Sequence, residues 1–267
     1  MRRIEAAFTN LKQNGKKGFI PFITAGDPDL NTTVDLLVEL ANCGATIIEL
    51  GVPFSDPMAD GPVIQRASER ALKHGFGLKE IFAATGKARV QIDTPLVLFS
   101  YFNPLLQYGM EKLARDARQA GIDGILVTDL TPEESQDFAE ALKLNDLDMI
   151  FLVAPTSTDE RLQLITDHAS GFVYAVSRAG VTGARENLSS EAELLVARVR
   201  KFSGLPVAVG FGISTVEQVA ETLTYADAAV VGSAIVAQIE KLSGETDLVG
   251  KVGRFVRNLI PQGAERL

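Results

Sequence analysis

The chain has 267 residues, 46% of them apolar and 22% charged, with a formal net charge of −8. This length allows one or two domains with ample core material, and the acidic balance repels polyanions, so nucleic acid is excluded as an expected partner. No stretch approaches the roughly 20 apolar residues of a membrane span, Met1-Arg2-Arg3-Ile4-Glu5 lacks the apolar run of a signal peptide, and the single cysteine, Cys43, suits a reducing, cytoplasmic setting.

Along the chain, Ile4, Phe8 and Leu11 form an apolar stripe that predicts a short opening helix. Eight short apolar runs follow: Phe19–Thr24, Thr46–Leu50, Pro95–Tyr101, Gly124–Thr128, Met149–Val153, Phe172–Val176, Pro206–Val209 and Ala228–Val231. They do not alternate polar with apolar, which is the pattern of strands covered on both faces in a parallel sheet. Between them lie helical spacings. Val34, Leu37, Val38 and Ala41 precede Gly44, Leu113, Ala117 and Ala120 precede Gly121, and Leu194, Val196, Ala197 and Val199 precede Ser203-Gly204. Helix-start signals stand at Thr131-Pro132-Glu133-Glu134, Ser157-Thr158-Asp159-Glu160, Ser189-Ser190-Glu191 and Ser214-Thr215-Val216-Glu217, and Gly44 and Gly121 suit left-handed caps. His74 and His168 read as helix-end residues without metal-ligand spacing, so no metal is expected.

Eight strand–helix units in order predict a closed TIM (β/α)8 barrel, with an open doubly wound sheet as the alternative. The opening helix is expected to cover the barrel's N-terminal mouth, and the segment from Gly75 to about Val90 reads as an extra helix after the second strand. No linker or repeat interrupts the sequence, so residues 1–267 are expected to form one domain.

In such barrels chemistry sits where strands end. Glu49 interrupts the second apolar run. A carboxylate inside a barrel costs several kcal/mol unless it is partnered or takes up a proton, so burial would suit it to general acid/base work; a structural, hydrogen-bonded acid is the other reading. The following loop, Pro53 to Pro62, carries Asp56 and Asp60, and Asp60 reads equally as an N-cap for a helix at Pro62 or as the second acid of a pair. Gly210-Phe211-Gly212-Ile213-Ser214 and Gly232-Ser233-Ala234-Ile235 follow the last two strands, where backbone N–H groups and a helix N-terminus favour a phosphate. Ser177 to Arg185, with Gly180 and Gly183, suits either a closing lid or a plain surface loop. Phe22, Phe99, Tyr101, Tyr174 and Phe211, at or near strand ends, are core residues or the lining of a flat apolar pocket.

Five stretches together resemble the tryptophan synthase alpha-subunit family: Pro21–Pro28, Glu49–Pro62, Ser177–Gly183, Gly210–Ser214 and Gly232–Val236. The resemblance implies a carbon–carbon lyase that cleaves indole-3-glycerol phosphate into indole and glyceraldehyde 3-phosphate. It implies Glu49 as acid/base, and Asp60 as acceptor of the indole N–H. Phosphate contacts fall on Gly183, Gly212, Gly232 and Ser233, and substrate contacts on Phe22, Phe99, Tyr101, Thr128, Tyr174, Thr182 and Phe211. Phe99 departs from the aliphatic residue of that family's pocket. The resemblance further implies no cofactor in this chain and a beta-subunit partner carrying pyridoxal phosphate in an alpha2beta2 complex, with Asp56, Asn103 and Pro104 facing it. Competing readings are another phosphate-binding barrel enzyme, which would be expected to use other groups such as a lysine at a strand end, where none is found, and a non-catalytic subunit that only activates a partner.

Overall fold

The computed structural model describes residues 1–176, 188–210 and 212–261. Eight strands, β1 (Gly18–Thr24), β2 (Ile48–Gly51), β3 (Leu96–Ser100), β4 (Gly124–Val127), β5 (Asp148–Val153), β6 (Val173–Val176), β7 (Val207–Gly210) and β8 (Ala228–Val231), pair in sequence order. All neighbours are parallel, and β8 returns to pair with β1, closing the barrel. Every residue of β1, β2, β3, β4, β7 and β8 is buried. This explains the unbroken apolar runs: one face packs inside the barrel and the other packs on helices. The β8–β1 pairing excludes an open sheet.

The pleat decides which side chains enter the barrel. Phe22 lies level with Glu49, Glu49 with Val97, and Leu152 with Tyr174 across the strand pairs. Ile20, Phe22, Ile47, Val97, Phe99, Leu126, Ile150, Phe172, Tyr174, Ala208, Ala228 and Val230 form the interior cluster. Glu49, two residues after Ile47, shares that inward face.

Helix α1 (Arg3–Gln13) contributes Ile4, Phe8 and Leu11 to the same cluster and closes the N-terminal mouth as expected. Its fit needs glycines in the strand starts: a Cβ on Gly124 would lie 3.0 Å from Ile4 Cδ1, and one on Gly18 3.2 Å from Leu11 Cδ1. Arg2 donates to Asp148 at 2.6 Å and Arg3 to Asp123 at 3.0 Å, securing the helix from outside.

The remaining helices form the outer ring. They are α2 (Leu30–Asn42), α3 (Pro62–Leu72), α4 (Leu78–Arg89), α5 (Phe102–Tyr108), α6 (Met110–Gln119), α7 (Gln136–Leu144), α8 (Asp159–His168), α9 (Leu188–Val199), α10 (Val216–Tyr225), α11 (Ser233–Leu242) and α12 (Leu248–Leu259). The extra helix after β2 is present, as α3 and α4 both lie between β2 and β3. Thr158 caps α8, and Thr215 with Gln218 makes a capping box on α10, contacts of about 1 kcal/mol each. Gly44 and Gly121 adopt the left-handed φ of 92° and 87° expected of them.

Three readings change. The Thr131 signal opens a 3-10 turn (Pro132–Glu134), and α7 begins only at Gln136. Helix α9 is already running at Leu188, ahead of the Ser189 signal. Asp60 is not the N-cap of α3: Gly61 holds that position, and the Asp60 carboxylate accepts from Tyr101 instead.

Candidate active site

At the C-terminal ends of the strands lies a cavity of about 600 Å³, the size usual for small-molecule sites. Phe22, Glu49, Asp60, Phe99, Tyr174, Gly212, Gly232 and Ser233 all line it, so eight sequence-selected residues from seven strands and loops meet in one space.

Glu49 is 1% exposed, and its Oε1 has no hydrogen-bond partner. Burial drives its carboxyl from 4.5 up to about 8. It therefore carries its proton at neutral pH, the state required of a general acid. Tyr174 is buried beside it, and both burial and the nearby Glu49 keep the phenol protonated far above its ordinary range. Gly210 makes room for this ring, since a Cβ there would lie 2.0 Å from the Tyr174 hydroxyl. Gly51 does the same for Phe22, whose ring would meet a Cβ at 2.4 Å. Phe22 and Phe99 then pack edge to face, with centroids 5.4 Å apart and planes at 80°, as an apolar corner of the cavity.

Asp60 faces this corner from the loop after β2. Burial lifts its carboxyl from 3.8 to about 6, and a hydrogen bond from the Tyr101 hydroxyl at 3.1 Å holds it down against that rise. Asp60 is thus ionised at neutral pH while Glu49 is not. The Tyr101 oxygen also accepts from the Ala59 N–H at 2.9 Å, and the Gln65 amide donates to the Asp60 carbonyl at 2.9 Å. Tyr101 does not line the main cavity; it sits behind Asp60 and braces the loop.

The part of the lining formed by the last two loops is suited to an anion. Gly232 and Ser233 begin α11 at the cavity wall, and no side chain caps the helix there, which leaves its first N–H groups without a side-chain acceptor. Gly212, at φ 87°, adds a second backbone segment. None of the described lining residues is basic, so an anion there would be held by backbone N–H groups and the helix dipole.

Thr128 lies outside the cavity lining. It ends β4 in a turn and reaches the Ser100 carbonyl through both its N–H (3.0 Å) and its hydroxyl (3.4 Å). Thr182, Gly183 and Phe211 lie outside the described residues. Asp56 and Asn103 are exposed and outside the cavity lining, and Pro104 is half-buried in a groove with Val52, Pro53 and Phe76. Sequence reasoning passed over Met58, Gly61, Pro62, Val63 and Ile64, which form one wall. The signal was present in the apolar pair Val63-Ile64 on the first turn of a helix, directly after a candidate acid. Among the described residues no group of three or more His, Cys, Asp and Glu is placed to hold a metal ion. No helix among them is long and apolar enough to cross a membrane.

This arrangement has close counterparts in known proteins. The family model described as tryptophan synthase alpha chain matches residues 8–260. The chain belongs to the tryptophan synthase alpha chain family. The tryptophan synthase alpha chain of Geobacter sp. (strain M21) is 48% identical over 259 residues, covering 97% of each chain. The crystal structure of tryptophan synthase subunit alpha from Legionella pneumophila superposes with a TM-score of 0.90 at 37% identity, covering 99% of this chain and 98% of that one. A chain from the tryptophan synthase alpha2beta2 complex of Pyrococcus furiosus matches with a TM-score of 0.84 at 41% identity, over 91% of this chain and 98% of its own. Membership makes the chain a lyase of tryptophan biosynthesis, and the sequence resemblance was to the correct family.

Proposed function

We propose that the cavity cleaves indole-3-glycerol phosphate by a retro-aldol reaction, with Glu49 as acid and then base. The observation that carries this is Glu49 itself, buried, unpartnered at Oε1 and neutral up to about pH 8, in the same cavity as an ionised Asp60.

The indole ring lies against Phe22 and Phe99, with its N–H donating to Asp60. The phosphate sits over Gly212, Gly232 and Ser233, joined by Gly183. Protonated Glu49 gives its proton to the ring carbon that bears the side chain, placing positive charge on the ring nitrogen opposite Asp60. The Glu49 carboxylate then takes the proton of the adjacent side-chain hydroxyl. As the C=O forms, the carbon–carbon bond breaks, and its electron pair returns to the ring. Indole and glyceraldehyde 3-phosphate leave, and Glu49 has recovered its proton. Positioned proton transfer contributes about 10²–10⁴ in rate, so Asp60 and orientation by the phosphate must supply much of the remainder. Thr182 and the surrounding loop serve as the lid.

On this reading kcat/KM is high between the Asp60 value of about 6 and the Glu49 value of about 8, and falls on both sides. The step uses no cofactor of this chain. A beta subunit carrying pyridoxal phosphate receives the indole in an alpha2beta2 complex, docking near Asp56, Asn103 and Pro104. The whole of residues 1–267 acts as one barrel domain in the cytoplasm. The test is indole release from indole-3-glycerol phosphate by the purified chain, with and without a beta subunit. Release that rises with the partner and falls about 10²–10⁴-fold in Glu49→Gln is expected; no release in either condition overturns the proposal.

A further inference from the structure

Four charged side chains, distant in sequence, join the two ends of the cavity from outside. Arg70 on α3 donates through Nε and Nη2 to the two carboxylate oxygens of Asp27, both at 2.8 Å, and through Nη1 to Glu240 Oε1 at 2.7 Å. Arg66, one turn earlier on α3, donates through Nε and Nη2 to Glu240 Oε1 and Oε2, again both at 2.8 Å. Asp27 is 2% exposed and belongs to the turn after β1. The network therefore ties that turn, α3 and α11 together.

Each helix brings one end of the site to its first turn. Helix α3 follows Asp60 directly, and its Gly61, Pro62, Val63 and Ile64 wall the cavity. Helix α11 opens with Gly232 and Ser233, the anion end. Glu240 is seven residues along α11 from Ser233, about two turns or roughly 10 Å. Partly exposed ion pairs contribute little to stability, commonly about 0–1 kcal/mol. Fork-to-carboxylate pairs do, however, fix distance and angle, because both N–H bonds must be satisfied at once. The hydrogen bond from Arg66 is the main factor holding the Glu240 carboxyl down to about 2, so the tie stays charged across the working pH range.

We propose that Glu240 is a positioning residue: by clamping Arg66 and Arg70 it sets the spacing between the Asp60 end of the cavity and the anion cradle of α11. A ligand that occupies only one end is indifferent to this spacing. A ligand that spans both ends requires it. The proposal rests on the reading that the substrate phosphate lies at the start of α11.

That difference supplies the test. Affinities are measured by titration calorimetry for indole alone, for glycerol 3-phosphate alone, and for a non-cleavable analogue joining indole to phosphate through a three-carbon chain. The proteins are the wild type, Glu240→Ala and, as a second way of breaking the clamp, Arg66→Met. Both variants should bind the spanning analogue about tenfold more weakly and each fragment within about twofold of wild type, since misplacement penalises only simultaneous engagement. Turnover should show a raised KM and a lowered kcat in the same variants. Equal affinity of the spanning analogue for wild type and variants overturns the proposal, as does parallel weakening of all three ligands, which would mean general loss of structure. Failure of glycerol 3-phosphate to bind the wild type overturns the phosphate placement itself, and this proposal with it.

Discussion

Replacing Glu49 by Gln should remove nearly all cleavage and at the same time reshape the dependence of stability on pH. In the folded chain the carboxyl loses its proton near 8, and in the unfolded chain near 4.5. Between those values the unfolded state holds fewer protons than the native state, so wild-type stability falls as pH rises. At 1.36 kcal/mol per pH step, the cost is about 3 kcal/mol at pH 7 and has a ceiling on the order of 5 kcal/mol above pH 8. Glutamine does not titrate, although it still buries an amide at a cost of about 1–3 kcal/mol. The decisive quantity is therefore the slope: the variant should gain on wild type steadily from pH 5 to pH 8 and no further beyond. Urea denaturation at pH 5, 7 and 9 measures this directly, and indole release on the same samples should drop about 10²–10⁴-fold. Parallel stability curves for the two proteins across that range would refute the burial reasoning, and retained turnover would refute the catalytic one.

Asp60→Asn should lower kcat/KM by about 10²–10³-fold, as expected for loss of one charge-stabilising group, and should remove the acid limb near pH 6 from the rate profile. Tyr101→Phe takes away the hydrogen bond that holds the Asp60 carboxyl down; the acid limb should move to higher pH in the same assay, and an unchanged limb would deny the contact. Gly232→Ala is tolerated by the fold, because its Cβ would meet Phe22 at an ordinary 3.4 Å. It places a methyl in the anion cradle, so thermal melting should change little while KM for the phosphorylated substrate rises about tenfold. An unaltered KM would move the phosphate elsewhere.

The barrel was legible because strands buried on both faces need apolar residues at every position, and that demand leaves unbroken runs such as Phe19–Thr24. Glu49 was legible for the same reason, as a charge inside such a run. Asp60 was ambiguous because an acid before Pro62 serves a helix start as well as a site, and only tertiary placement put its carboxylate on Tyr101. Tyr101 itself was assigned to the pocket as an aromatic residue near a strand end and by the family resemblance; the strand ends at Ser100, and the side chain passes behind the acid. Helix α5 spans only Phe102–Tyr108, too few residues for a 3.6-residue period to declare itself. The Arg66–Glu240 pair spans 174 positions, a contact that no local pattern encodes.

A site-resolved titration of Glu49 goes to the centre of this account. With side-chain carboxyl carbons of glutamate isotopically labelled, the resonance missing from Glu49→Gln is followed by NMR from pH 4 to pH 10. A midpoint close to 8 in the free chain agrees with a sheltered acid that enters the reaction carrying its proton. A midpoint near 4.5, the ordinary glutamate value, would mean the group is ionised at neutral pH, and proton donation from Glu49 would have to be abandoned.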